Sequence, residues 1–158
     1  GVQNTEDDYF IDFSQANIGQ FQLLLQLFSR GKVIHVIEDP RDYVARNDHS
    51  SDAEIKQLLH QWQADIEETR SKCAQYSDRY LEMSGHLIIT QTRDSLARLL
   101  AFMGEAWNDE LYENLNNISF ENEWSSKLTA EQVSLIENTI GDILGEMGFA
   151  LSNMDEEA

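Results

Sequence analysis

Lys32-Val-Ile-His-Val-Ile37 is a run of β-branched residues interrupted by a single histidine, and its reading decides the fold class. Its length and composition fit a strand. Gly31 precedes it and Glu38-Asp39-Pro40 ends it. Upstream, Ile18, Phe21, Leu24, Leu25 and Phe28 recur at helical spacing behind Ser14, a residue type suited to an N-cap. This predicts a helix over 14–30, with Gly31 as a left-handed stop. Farther upstream, Tyr9-Phe-Ile-Asp-Phe13 is short, aromatic and β-prone, which predicts a strand over 9–13.

Downstream, residues 40–50 are polar and read as a loop. Ser51-Asp-Ala-Glu54 is a capping box. From it, Ile55, Leu59, Trp62, Ile66, Thr69, Cys73, Tyr76, Tyr80 and Met83 follow at alternating intervals of four and three, a heptad seam predicting a helix over 51–83. Such a helix is about 50 Å long at ~1.5 Å per residue. A compact domain of this size is only ~40 Å across, so the helix either protrudes, breaks or packs along a partner; its seam faces the protein's own core or, at Tyr76 and Tyr80, forms an interface.

His86-Leu-Ile-Ile-Thr90 reads as a further strand, and Ile118-Ser-Phe120 is a candidate fourth. Leu96, Leu99, Leu100, Met103, Trp107, Leu111 and Leu115 mark a helix over 93–115 that bends near Gly104. Thr129-Ala-Glu-Gln132 is a second capping box, opening a helix over 129–147 that Gly148 closes. Strands near 9–13, 33–37, 86–90 and 118–120 alternating with helices predict an α/β fold, helix-dominated, with a small, mostly parallel sheet. The alternative is an all-α bundle in which 33–37 and 86–90 join helices. A chain of 158 residues fits one domain, assigned to 1–151, with 152–158 as a disordered acidic tail.

The charge is lopsided. Residues 1–98 carry 16 acids and 10 bases, whereas 99–158 carry 13 acids and Lys127 alone, within a total of -18. A surface of that sign repels nucleic acid and anionic membranes and attracts basic proteins. Glu105, Asp109 and Glu113 stand four apart, one helical turn each, with Glu110 beside them and Glu121 and Glu123 following. Trp107 and Trp124 are interleaved with these acids, and rings beside a charged field suit a protein interface. Glu105, Trp107, Asp109, Glu110, Glu113, Glu121, Glu123 and Trp124 are therefore the candidate partner-binding residues.

The function expected from this pattern is a non-enzymatic, acidic protein-binding domain docking onto a basic partner, of the inhibitor, immunity or nucleic-acid-mimic type. One alternative is a subunit that self-associates or joins an assembly through 55–83. Another is a metal-dependent phosphodiester or phosphoryl-transfer enzyme using carboxylates at strand ends, such as Asp12, Glu38, Asp39 and Asp94. Asp12-Phe-Ser14-Gln-Ala16 resembles a von Willebrand A-type metal loop, with Ala16 where that loop has a hydroxyl. Thr90-Gln-Thr-Arg-Asp94 resembles a loop of PIN-type nucleases, with Thr92 in place of a carboxylate.

No cofactor or resident metal is expected. His35, His49, His60 and His86 pair with no other His or Cys at zinc-ligand spacing, and no glycine-rich phosphate loop occurs. A lone Cys73 and the lack of any long apolar run point to the cytoplasm.

Overall fold

The computed structural model describes residues 20–118 and 122–152. The chain divides into two compact units, 1–31 and 32–158, each taken by itself. In the first, α1 (Phe21–Leu27) buries Phe21 and Leu25 and exposes Leu23 and Leu27. The predicted strand over 9–13 and the start of the 14–30 helix lie outside the described residues. Gly31 is not left-handed; positive φ is confined to Gly104 and Gly148 among the described residues.

The second unit is helix-dominated around a small parallel sheet, as the β-branched run predicts. β1 (Val33–Ile37) leads into α2 (Pro40–Arg46) and α3 (Asp52–Cys73). A turn of 3-10 helix at Ala74–Tyr76 then brings in β2 (Tyr80–Ser84), which pairs parallel to β1 with His35 opposite Glu82 and Ile37 opposite Ser84. After β2 come α4 (Gly85–Thr90), α5 (Thr92–Met103), α6 (Asp109–Asn116), α7 (Trp124–Lys127) and α8 (Ala130–Glu146).

Several readings change. The helix over 51–83 ends at Cys73, and 80–84 is strand: Leu81 and Met83 are buried at period two, which overrides the coincidental heptad spacing of Tyr80 and Met83. Residues 86–90 are helical, because Ser84 accepts from the Leu87 amide and caps α4. Short apolar runs carry no periodicity that separates strand from helix. Residues 40–46 form α2 and not a loop: Asp39 is its N-cap and Pro40 takes the first helical position, where its missing N–H costs nothing. The helix over 93–115 is two helices, since Gly104 adopts φ 89° and ends α5 before Asn108 caps α6. Ile118 is not in a strand, and residues 119–120 lie outside the description.

The core joins Ile37 of β1, Val44 of α2, Ile55, Leu59, Trp62 and Ile66 of α3, and Ile136, Ile140 and Leu144 of α8. The α3 seam thus faces the protein's own interior, and of the outcomes open to a 50 Å helix the chain takes the break, after Cys73. Leu81 and Met83 lie on the opposite face of the strand pair, toward α4 and α5. One capping box is complete, Thr129 and Gln132 capping one another reciprocally; at the other, Ser51 accepts from the Glu54 amide while the Glu54 carboxylate accepts from the Ser50 amide. Lys32 ties the start of β1 to the end of α5 by donating to the carbonyls of Phe102 and Met103, where a cation meets the negative end of the helix dipole.

Candidate functional site

Parallel sheets place ligands beyond the carboxyl ends of their strands. At the end of β1 the chain turns through Glu38 and Asp39 into α2. Asp39 accepts from the Arg41 amide and also grips the Arg41 guanidinium, with Oδ2 2.7 Å from Nη2. Nη1 of Arg41 donates to Glu137 of α8 at 2.8 Å and to the Ala150 carbonyl at 2.9 Å. Glu137 is completed by the Ser152 amide and hydroxyl. All three charged groups are buried, and the Trp124 ring stacks 4.5 Å from the guanidinium. Burial opposes the charge on Arg41, but its two carboxylate partners more than offset that, and it stays protonated. Beside it, Glu38 pairs with Arg46. Asp42, whose pKa burial raises, accepts from the Trp124 amide at 2.9 Å. The cations at this strand end are thus satisfied by the chain's own carboxylates.

The end of β2 is more open. A cavity of about 120 Å³ is walled by Ser84, Gln91, Asp94, Ser95 and Arg98 over Met83 and Leu87. Ser95 donates to the Leu87 carbonyl, while the Ser84 oxygen accepts from the Leu87 amide and keeps its own proton to donate. Arg98 brings a guanidinium to one side and Asp94 a carboxylate to another, so the pocket's formal charge is zero.

A polar chain crosses the covered face of the strands. Arg70 of α3 donates twice to Glu82, from Nε at 2.9 Å and Nη2 at 2.6 Å. The Tyr80 hydroxyl donates to Glu82 at 3.1 Å and lies 2.8 Å from Nδ1 of His35. Burial would raise the Glu82 pKa, but Arg70 and Tyr80 hold it below the usual carboxylate range. Burial lowers His35, partly opposed by Glu82 and reinforced by Arg70.

The acidic residues singled out from sequence do not form one row. Glu105 sits in the turn after α5, off the helix that carries Asp109 and Glu113. Trp107 donates its indole N–H to Asp109 at 2.7 Å, and Arg93 of α5 covers the rings of Trp107 and Tyr112 at 4.9 and 5.5 Å. Asp109 and Glu110 occupy the first turn of α6, where the helix dipole favours them. Glu113 is exposed on the same helix. Glu123 pairs with Lys127, and Trp124 stacks on Arg41. Glu121 lies outside the described residues. The carboxylates proposed as metal ligands are likewise committed or dispersed: Glu38 and Asp39 hold arginines, Asp94 stands in the β2 cavity, and Asp12 lies outside the description. Among the described residues no cluster of His, Cys, Asp or Glu could hold a metal ion.

A family profile described as the sulfotransferase family matches residues 2–109 of the 158. The chain belongs to the sulfotransferase family. Neither the curated proteins nor the solved structures give a match to it. Membership overturns the reading as a non-enzymatic inhibitor, immunity or nucleic-acid-mimic domain, and with it both alternatives, the assembly subunit and the metal-dependent phosphodiesterase. The matched stretch spans α1 to the first residue of α6 and contains β1, β2, the β2 cavity and the His35–Tyr80–Glu82–Arg70 chain. Most of the acidic candidates, from Glu110 to Trp124, fall beyond it. Sequence reasoning did not single out the cavity residues Ser84 and Arg98 because the strand that ends at Ser84 was hidden inside an apparent heptad seam. The alternating burial of Tyr80–Ser84 is the signal that finds it.

Among the described residues no helix is long and apolar enough to cross a membrane.

Proposed function

We propose that this protein transfers a sulfuryl group from an activated, anionic sulfate donor to a nucleophilic hydroxyl or amine. The family match over residues 2–109 carries the reading. The cavity at the end of β2 supports it. Arg98 offers a fork of N–H donors suited to a tetrahedral oxyanion, and Ser84 and Gln91 offer further donors beside it. Its volume of about 120 Å³ suits a sulfonate group. Ligand pockets that enclose a whole drug-sized or nucleotide-sized molecule measure ~300 Å³ or more. The described residues therefore do not fit the body of a nucleotide-linked donor, and no step is assigned through it. Residues 2–19 belong to the matched stretch and lie outside the description.

The reading includes a cytoplasmic location, in keeping with a single, buried, unpaired Cys73. Cell fractionation of the native protein tests it.

The function is tested by incubating the protein with a sulfur-labelled phosphosulfate and a panel of alcohols, phenols and amines. Label should pass to one acceptor class in proportion to enzyme. Arg98→Met should raise the donor KM more than tenfold while leaving the melting temperature within about 2 °C, since surface substitutions usually cost less than ~0.5 kcal/mol. Transfer that never exceeds the enzyme-free control with any acceptor would remove the proposal.

A further inference from the structure

We propose that the recess between α3 and α8 is a docking site for a lysine side chain of a partner polypeptide, its ammonium held by Glu67 and Glu146 and its backbone carbonyl by the indole N–H of Trp62. The inference stands apart from sulfuryl transfer. Arg70, on the rim of the recess, reaches Glu82, which alternates with Met83 along β2. The recess therefore lies on the α3 side of the strand pair, away from the Met83 face that carries the Ser84–Arg98 cavity.

The packing of α3 on α8 builds the floor. Trp62 and Ile66 stand one turn apart on α3, Ile143 and Met147 one turn apart on α8, and together they bottom a cavity of about 150 Å³. Pockets that enclose a whole drug-sized ligand begin near ~300 Å³, so this one takes a single side chain. Lysine lays an apolar stem along such a floor while its charge stays at the rim.

That rim is electronegative. Glu67 receives the Gln63 amide N–H at 3.1 Å, and neither Glu67 nor Glu146 forms an ion pair among the described residues. Arg70 is already committed to Glu82 through Nε and Nη2. Glu146 is the last residue of α8, at the negative end of the helix dipole, where a cation belongs. No Lys or Arg occurs anywhere along Ala130–Glu146. A bound ammonium relieves that misfit. Being a compact charge with three donors, it bridges carboxylates on two different helices, where a guanidinium's planar fork matches a single one.

Trp62 specifies the other half of the ligand. It is 5% exposed, yet its Nε1–H has no hydrogen-bond partner among the described residues and is not sealed from solvent, as the Trp124 indole N–H is. The ring lines this recess, so the recess is where Nε1 meets solvent. A buried indole N–H ordinarily has an acceptor. A free alkylammonium ion offers none, whereas a lysine in a polypeptide carries a carbonyl at the base of the same side chain. The chain's net charge of -18 steers a basic partner toward the site.

The test is a titration of the whole protein with N-acetyl-lysine N-methylamide at ~0.15 M salt. Proton–nitrogen NMR follows the indole resonances of Trp62, Trp107 and Trp124, with Trp62→Phe assigning the first. The Trp62 resonance should move saturably at millimolar probe. Glu146→Gln should weaken binding by about three- to fivefold, the scale of one exposed ion pair, and Glu67→Gln combined with it by about tenfold. Butylammonium, which lacks the carbonyl, and the Nε-acetylated probe, which lacks the charge, should each bind at least about threefold more weakly. A Trp62 indole that does not move, variants that bind like the wild type, or a neutral probe that binds as well overturns the inference. So does a Trp107 resonance, beside Asp109, that moves as much as that of Trp62, since that is loose attraction to an acidic surface. Butylammonium matching the probe overturns the assignment to a polypeptide. None of these readings involves turnover, so the sulfuryl-transfer reading stands or falls by its own assay.

Discussion

Replacing Arg41 by Met tests how the carboxyl end of β1 is held together. The substitution preserves much of the side-chain volume and removes only the guanidinium. It strands two carboxylates, Asp39 and Glu137, whose side chains are 8% and 6% exposed. Removing one partner of a buried ion pair typically costs about 3–5 kcal/mol, because the remaining charge has neither solvent nor counterion. Here two charges are stranded, although the Arg41 and Ser152 amides still donate to them. At ~2–4 °C per kcal/mol for a chain of this size, the melting temperature should fall by about 10 °C or more. Urea unfolding followed by circular dichroism at pH 7 measures the loss. A loss below about 1 kcal/mol would refute the account of the triad.

Three further outcomes follow from the same geometry. Gly148→Ala should cost about 1–2 kcal/mol in urea unfolding, since φ is +74° and a Cβ there would stand 2.9 Å from Leu87; a neutral result would mean that the turn relaxes. Leu59→Ala, at a fully buried position of α3, should cost about 2–5 kcal/mol, whereas Leu111→Ala on the exposed side of α6 should stay within about 1 kcal/mol. Arg70→Met should destabilise by up to about 1 kcal/mol at pH 7. Glu82 has a depressed folded pKa, so its pairing contributes above the unfolded value of ~4.3 and is lost as pH falls through the folded one; the difference between wild type and variant should shrink as pH falls below the unfolded value.

Much of the fold can be read from local chemistry. The N-caps at Ser51 and Thr129, the strand at 33–37 and the left-handed stop at Gly148 are statements about neighbours within a few residues, and each appears in the structure as read. The α2 helix was signalled by Asp39-Pro40 but masked by the polar residues after it. Strand and helix were exchanged between 80–84 and 86–90 because five residues cannot display a period, and a cap on Ser84 decided the outcome. The site was less legible. Arg41 meets Glu137 across 96 residues and His35 meets Tyr80 across 45, contacts that only strand register and helix packing can create. Charge counting exposed an excess of acids but not their direction. Trp124 turned inward to stack on Arg41, and Glu105 was separated from Asp109 by the break at Gly104.

The Arg41–Glu137 contact also limits how freely this protein can be cut and recombined. The family match stops at residue 109, yet the arginine at the heart of α2 draws a counterion from α8, and Ile136, Ile140 and Leu144 of the same helix plug the interior beneath α3. A chimera that grafted only the matched stretch onto another scaffold would inherit an Arg41 whose Nη1 has lost both of its acceptors, and an open hydrophobic floor. In this chain the segment that defines kinship and the segment that makes it a stable object are different lengths of polypeptide.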